Sequence, residues 1–417
     1  MLNKISPEQL QDLDPHILHA GFDLSQQAKQ IGIALFHHRQ SGIAAPILYG
    51  DPKGASLYDT FISKAHNGDP KDAAPARLID NNIQAIATKY KDIDRLVIIG
   101  AGNYETFLNQ EGAILEQLHS LQGDDRKLEI VLIDVSEDYI KEDIAALQSL
   151  GEKLKTDYTV RAIQADFTTI SGATFDRIMT DYFGSKARNE VKTGIISTGA
   201  LFGNIENVPN LESVPTGLIE KRIAIFGEFG AEGSVIGFDC FSNLDSSYYH
   251  SETLQEFFLN GIDVVRREGP EEIKGLKLYD ADGNLMFRSE PKNYIGSKVS
   301  AHRLVATQRQ VIQVLNGGGV HIDVDIPQNS TWHMMYSLRP EQNFIINTSA
   351  HNTGASYDAN FGDRSGLNFY VFDKTGVPAI LESVNENANI MSIPERKNPA
   401  SLNVGMSQKP EELKHAM

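Results

Sequence analysis

The stretch 96–106, LVIIGAGNYET, constrains the fold more than any other part of the chain. Its apolar run, Leu96-Val97-Ile98-Ile99, ends abruptly in Gly100-Ala101-Gly102. A buried parallel strand needs such an ending where it must turn sharply and let a ligand approach its backbone, since glycine adopts left-handed dihedrals and carries no side chain. Three more runs repeat the pattern. KLEIVLIDVSEDYI (127–140) ends its apolar part at Asp134, YTVRAIQADFTTI (158–170) at Asp166-Phe167, and GIISTGALFGNIENVP (194–209) at Gly203-Asn204. Strand signals separated by helical stretches predict an α/β fold, a doubly wound Rossmann-like sheet whose ligand lies beyond the carboxyl ends of the strands. A further strand, SVIGFDCFSN (234–243), follows a helix signal over 217–229.

At 417 residues the chain can bury a full core and is expected to hold two domains. Its net charge of −17 argues against a nucleic-acid partner, because phosphate contacts require clustered Lys and Arg. A small molecule is the expected ligand. Cys240 is the only cysteine, so no internal disulfide forms and a reducing, cytoplasmic setting is expected. The opening MLNKISPEQL lacks the apolar core of a signal peptide, and no apolar run reaches the roughly 18 residues of a membrane span.

Two cofactors suit a Gly-x-Gly strand followed by an acid-tipped one. A nicotinamide dinucleotide calls for G-x-G-x-x-G with an acid about 20 residues further on. Here Glu105 stands at the third glycine position, and Asp134 follows Gly102 by roughly thirty residues. S-adenosylmethionine has no pyrophosphate; it needs an acid for its ribose diol, groups for its adenine edge and face, and room for its amino-acid end. Asp134, with Val135 beside it, suits the diol, Asp166 and Phe167 suit the adenine, and Gly100, Ala101 and Gly102 allow close approach. The pattern favours the methyl donor over the dinucleotide, and an NAD-dependent oxidoreductase stays as the competing reading. A catalytically silent binding protein built on a methyltransferase fold is a third.

At these residues the chain resembles the histidine-specific S-adenosylmethionine-dependent methyltransferase family, which includes the ergothioneine-pathway enzymes and fungal ergot-alkaloid N-methyltransferases. The likeness rests on the Gly-x-Gly strand, IDVSEDYI, ADFT, GALFGN followed by a proline, APILYGDPKGASLYDTF (45–61) and TLQEFFLN (253–260), and spans about 45–338. It implies methyl transfer to the nitrogen of an amino acid or related small amine. In the family the 45–61 segment supplies an aromatic wall and a tyrosine hydroxyl; Tyr49 is the nearest counterpart, one residue out of register, and a loop aromatic packed on the core would look the same. The family's Tyr-Pro-Thr type motif is replaced by Ala65-His66-Asn67-Gly68, so that contact does not carry over. Asn204 matches an asparagine that contacts the amino-acid substrate. The family's Glu-x-Ser pair becomes Lys298-Val299-Ser300, which keeps the serine and exchanges the acid for a cation, so free L-histidine is expected to be a poor substrate. Tyr249, in the aromatic-rich run 246–267, is a further candidate for the substrate wall.

An acceptor α-amine of pKa near 8 costs only about 1.4 kcal/mol to deprotonate at pH 7, so no dedicated strong base is required. Catalysis then rests on alignment, worth an effective molarity of about 10⁵ to 10⁸ M in intramolecular systems, and Asn204 and Tyr49 are the expected positioning groups. No metal is expected. His37-His38 point in different directions on a helix, and Asp280 and Asp282 lack the remaining ligands of a calcium loop.

Elsewhere the pattern predicts short amphipathic helices over 5–39, a turn-rich crossing at 67–75, a helix over 78–90, and a hairpin over 276–288 around Asp282-Gly283. It predicts a helix carrying Leu304, Val311, Ile312 and Leu315, then GVHIDVDI (319–326) and TWHMMYSL (331–338) as the antiparallel edge hairpin of the sheet. The expected domains are a smaller α+β substrate domain of 1–75 and 244–298, a cofactor domain of 76–243 and 299–340, and 341–417 as an appended hairpin and irregular tail. In that tail NFYVFD (368–373) is expected to pair with 377–382.

Overall fold

Residues 95–99 are buried without a break, and this central strand organises its neighbours. The computed structural model describes residues 17–37, 45–65, 74–123, 127–198, 204–205, 229, 233–239, 252–293, 299–338, 359–362 and 367–373. The strands are β1 (Ile17–His19), β2 (Arg95–Ile99), β3 (Glu129–Asp134), β4 (Thr159–Gln164), β5 (Thr193–Ser197), β6 (Asn204–Ile205), β7 (Gly233–Asp239), β8 (Ile273–Lys274), β9 (Phe287–Asn293), β10 (Val299–Ala306), β11 (Gln310–Leu315), β12 (His321–Ile326), β13 (Thr331–Leu338), β14 (Ala359–Gly362) and β15 (Leu367–Asp373). Among the described residues the α-helices are α1 (Leu24–Gly32), α2 (Ala45–Tyr49), α3 (Pro52–Ala65), α4 (Ala74–Tyr90), α5 (Tyr104–Asn109), α6 (Glu111–Gln122), α7 (Glu137–Leu154), α8 (Gly172–Arg177) and α9 (Glu252–Glu268).

Eight strands form the main sheet in the order β1-β4-β3-β2-β5-β7-β15-β14. From β1 to β7 all are parallel, whereas β15 runs antiparallel to β7 and β14 antiparallel to β15. The chain runs outward from β2 to β3 and β4, then returns to lay β5 on the other side of β2, so the sheet has a switch point where ligands of such folds bind. This is the doubly wound α/β architecture with an antiparallel edge. One local fit explains how β5 seats: a Cβ at Gly194 would lie 2.5 Å from the Tyr90 ring. The glycine leaves room for that ring, whose hydroxyl donates to the Ile195 carbonyl at 2.6 Å.

Several expectations are corrected. The stretch carrying Leu304, Val311, Ile312 and Leu315 is not a helix but the strands β10 and β11. Along 310–314 buried and exposed residues alternate, the period of a strand. The sequences 319–326 and 331–338 do form strands, but β12 belongs to a three-stranded sheet (β12-β11-β8) and β13 to a four-stranded one (β6-β13-β10-β9), so they are not the edge of the main sheet. That edge comes from β14 and β15, in the stretch expected to be appended. Strand β15 pairs with the preceding β14 and with β7; 377–382 lies outside the described residues, as does the helix signal at 217–229 except Phe229. Near the amino end Leu18 lies in β1, paired with β4, and among the described residues of 5–39 the helical ones are 24–37.

Among the described residues two large apolar cores stand out. One gathers β2 to β5 with α4 to α7, including Ile79, Leu96, Ile98, Phe107, Leu132 and Ile144. The other gathers α1 to α3 and α9 with β9 to β13, including Phe61, Phe257, Ile262, Leu304, Ile312 and Trp332. Within the second, the Trp332 indole N–H donates to the Leu35 carbonyl at 3.0 Å, so this buried ring is also satisfied. Asp51 joins α3 to α9: its carboxylate accepts from Asn260 Nδ2 at 2.8 Å, from Arg267 Nη2 at 2.7 Å, and from the Gly54 N–H at 3.2 Å.

Candidate active site

Three parallel strands end side by side here, and each tip is shaped by its own sequence. After β2, Gly100 (φ 66°) and Gly102 (φ 95°) both adopt left-handed dihedrals, the conformations that the Gly-x-Gly spacing requires. Asn103 then caps α5, accepting from the Thr106 N–H at 2.9 Å, and the Tyr104 N–H donates to the Glu142 carboxylate at 2.8 Å. Glu105, at the third glycine position, lies in the first turn of the same helix. An anion seeking helix N–H groups would meet Glu142 and Glu105 instead.

At the tip of β3, Asp134 is half-buried and accepts the Ser136 N–H at 2.8 Å. Burial raises its carboxyl from 3.8 to about 7, against the lowering effect of the Ser136 and Val135 backbone hydrogen bonds. Ser136 in turn caps α7, its hydroxyl accepting from the Tyr139 N–H at 3.3 Å. The Val135 carbonyl accepts from Gln164 Nε2 at 3.0 Å, which ties it to the end of β4.

At the third tip the Ala165 N–H donates to the Asp134 carbonyl at 2.8 Å. Asp166 Oδ1 accepts from the Thr168 N–H at 2.9 Å and the Thr168 hydroxyl at 2.7 Å. A carboxylate offers about four lone-pair sites, so both acids keep acceptor capacity for a ligand. Phe167 is only 6% exposed, so most of its ring packs in the protein and a narrow part is left for stacking.

Of the other predicted residues, Tyr49 sits on the second core. Tyr49 packs edge-on against Tyr58 (centroids 5.0 Å apart) and tilted against Phe257 (5.2 Å). Asn204 is in β6 and Ser300 in β10, and both register on Ser337 of the strand between them, which places the two in one cross-strand row. Tyr249 and Lys298 lie outside the described residues. Among the described residues no three His, Cys, Asp or Glu side chains gather to hold a metal ion, and no helix is long and apolar enough to cross a membrane.

Sequence reasoning missed a layer of acids beneath these tips. Glu111, in the first turn of α6, is fully buried; the Thr198 hydroxyl just past β5 donates to it, and its other oxygen has no partner among the described residues. Burial raises its carboxyl to about 7. Asp143 on α7 is buried too, and burial with the charges of Asp134, Glu111 and Glu142 holds it well above the carboxylate range. In the sequence each looks like an ordinary helix acid, and only the packing reveals it. Asp59 and Tyr139 were likewise missed.

No protein-family model matches the chain. No curated protein matches it. Among solved structures it is similar to an amino pentose methyltransferase from Micromonospora echinaspora, with S-adenosylmethionine bound, at 10% identity over 76% of this chain and 96% of that one, TM-score 0.29. It is similar to an N-methyltransferase from Bradyrhizobium japonicum at 11% identity over 62% and 99%, TM-score 0.23. It is also similar to a 1,6-didemethyltoxoflavin-N1-methyltransferase from Burkholderia thailandensis at 12% identity over 72% and 92%, TM-score 0.27. At such low scores the likeness decides neither fold nor chemistry, and both rest on this chain's own strands and side chains.

Proposed function

We propose that the chain is an S-adenosylmethionine-dependent N-methyltransferase acting on a small amine, an amino acid or a derivative of one. One observation carries the choice of cofactor: the helix after the Gly-x-Gly strand has its amino end closed by the Glu142 carboxylate and the Asn103 amide, with Glu105 beside them. A dinucleotide needs that end for its pyrophosphate. An S-adenosyl group needs it for nothing, and finds Asp134 for its ribose diol and Asp166 for its adenine amino group. The antiparallel edge made by β15 and β14 supports the same reading, since methyltransferase sheets carry one and dehydrogenase sheets usually lack it.

When bound, the cofactor supplies a sulfonium methyl for in-line displacement by an amine. The protein's part is alignment. Gly100, Ala101, Gly102 and Val135 shape the pocket, Asp134 and Asp166 orient the nucleoside, and Tyr49, Asn204, Ser300 and Tyr249 form the substrate side. We place the substrate domain in the second core, taking in 299–338 along with 45–65 and 252–293. The reaction occurs in the cytoplasm.

Titration calorimetry with S-adenosylhomocysteine, followed by a methylation screen of amino acids and small amines, tests the proposal. Micromolar binding and turnover of at least one α-amine are expected. Binding of NADH in place of S-adenosylhomocysteine would establish the oxidoreductase reading, and binding without turnover on any amine the silent one.

A further inference from the structure

A half-buried carboxylate contributed from outside the main sheet reaches two of the three strand tips. Asp59 lies on α3, whose Tyr58 and Phe61 pack in the second core. Its Oδ1 accepts from Asn103 Nδ2 at 2.9 Å and from the Tyr139 hydroxyl at 2.8 Å. Each donor leads to the site. Asn103 follows Gly102 directly, and its own amide oxygen caps α5 through the Thr106 N–H. Tyr139 donates its N–H to Ser136 Oγ, and the Ser136 N–H donates to Asp134 Oδ1. An unbroken chain of hydrogen bonds therefore runs from Asn103 through Asp59, Tyr139 and Ser136 to Asp134. The Tyr139 hydroxyl also lies 3.0 Å from the Ala55 carbonyl, a second α3 acceptor that shares its one proton with Asp59.

We infer that Asp59 is a positioning residue: it sets the Gly100–Asn103 loop and the Asp134 carboxylate in one arrangement, and so makes the cofactor pocket depend on the docking of the aromatic helix α3. This rests on the cofactor reading proposed above. Packing alone does not call for a carboxylate at this point, because an apolar residue would fill the space without a desolvation cost. Two convergent donors from two different tips do call for one, and satisfying both offsets the partial desolvation of the acid.

The test is calorimetric affinity for S-adenosylhomocysteine in the full chain. Asp59→Ala takes the acceptor from the Asn103 amide and leaves the Tyr139 hydroxyl only the Ala55 carbonyl, so it should weaken binding by about tenfold or more, while Asp59→Asn, which keeps an acceptor oxygen, should stay within about threefold of the wild type. Tyr139→Phe cuts only the arm to Asp134 and should weaken binding by about three- to tenfold, which covers the case in which Asp59→Ala does not fold. In an Asp134→Asn background Asp59→Ala should add less than about threefold, because residues acting through one network are not additive. A lowered Tm with unchanged affinity, or losses that multiply in the double variant, would reduce Asp59 to a tether and overturn the inference. If the wild-type protein binds no S-adenosylhomocysteine, the cofactor reading itself fails; if it binds and Asp59→Ala binds equally well, only the positioning role fails.

Discussion

The Thr198 hydroxyl donates to the Glu111 carboxylate across the gap between β5 and α6, and neither side chain touches solvent. The carboxyl is raised by desolvation from 4.5 to about 7, so the folded protein holds this proton more tightly than the unfolded chain. Stability from this group is therefore highest below about pH 4.5 and falls as pH rises through 7, by about 3 kcal/mol in all. Asp134, raised from 3.8 to about 7, acts in the same direction. Asp143, held well above the carboxylate range, adds to both; urea unfolding should show a protein less stable at pH 8 than at pH 5.5, and Glu111→Gln should remove part of that slope. An unchanged slope would mean that Glu111 does not titrate in this window.

Cofactor affinity should also follow pH, with the opposite sign. Two ribose hydroxyls can both donate to Asp134 only when it is ionised, so S-adenosylhomocysteine should bind more tightly at pH 8 than at pH 6. The limiting slope is about tenfold per pH unit below the carboxyl's pKa of about 7. Asp134→Asn should weaken binding roughly 10- to 100-fold, the loss of hydrogen bonds to a charged acceptor, and should remove the pH dependence. Calorimetry at the two pH values measures both effects.

Asp51 behaves in the contrary way to the buried acids of the sheet. Burial alone would raise its carboxyl, but hydrogen bonds from Asn260 and Arg267, the charge of Arg267 and the Gly54 N–H together hold it below the usual value. Its contribution to stability is present above about pH 4 and is lost as pH falls through the depressed pKa. Asp51→Ala should cost about 2–4 kcal/mol near pH 7, the lower part of the range for breaking a buried pair because Arg267 keeps partial access to water. Chemical denaturation at pH 7 checks the size, and a loss under about 0.5 kcal/mol would show the link between α3 and α9 to be unimportant.

Glycine substitutions separate space from conformation. A Cβ at Gly54 would lie 1.9 Å from the Leu48 carbonyl oxygen, which is backbone and cannot swing aside, so Gly54→Ala should destabilise by about 3 kcal/mol or more. At Gly123 the surroundings are open but φ is +80°, so Gly123→Ala should cost only about 1–2 kcal/mol. Equal losses at the two positions would contradict the geometry.

The tips of β2, β3 and β4 were legible because their signals are local: an apolar run that stops at a glycine pair or an acid states its own ending, whereas the run expected to end at Gly203-Asn204 stops as β5 at Ser197, and Asn204 lies in β6 of another sheet. Residues 304–315 were not, since Leu304, Val311, Ile312 and Leu315 also fit a helical spacing. The alternation of buried Gln310, Ile312 and Val314 with exposed Val311 and Gln313 becomes decisive only once a sheet exists to bury one face. The edge of the main sheet was misplaced for a different reason. Which strand pairs with β7 depends on which edge is open in three dimensions, and 233–239 carries no record that 367–373 will fill it. Asp59 was invisible for the same reason, because its partners Asn103 and Tyr139 are brought to it by two other helices.

That late edge has a consequence during synthesis. By the time Gly233–Asp239 leaves the ribosome, its parallel neighbour β5 is already available, yet the segment that covers its other side, Leu367–Asp373, is still untranslated. At about 5–20 residues per second the gap lasts on the order of ten seconds, during which a bare row of backbone donors and acceptors faces the cell. Nascent chains halted between these two segments should be the ones that recruit chaperones, or one another.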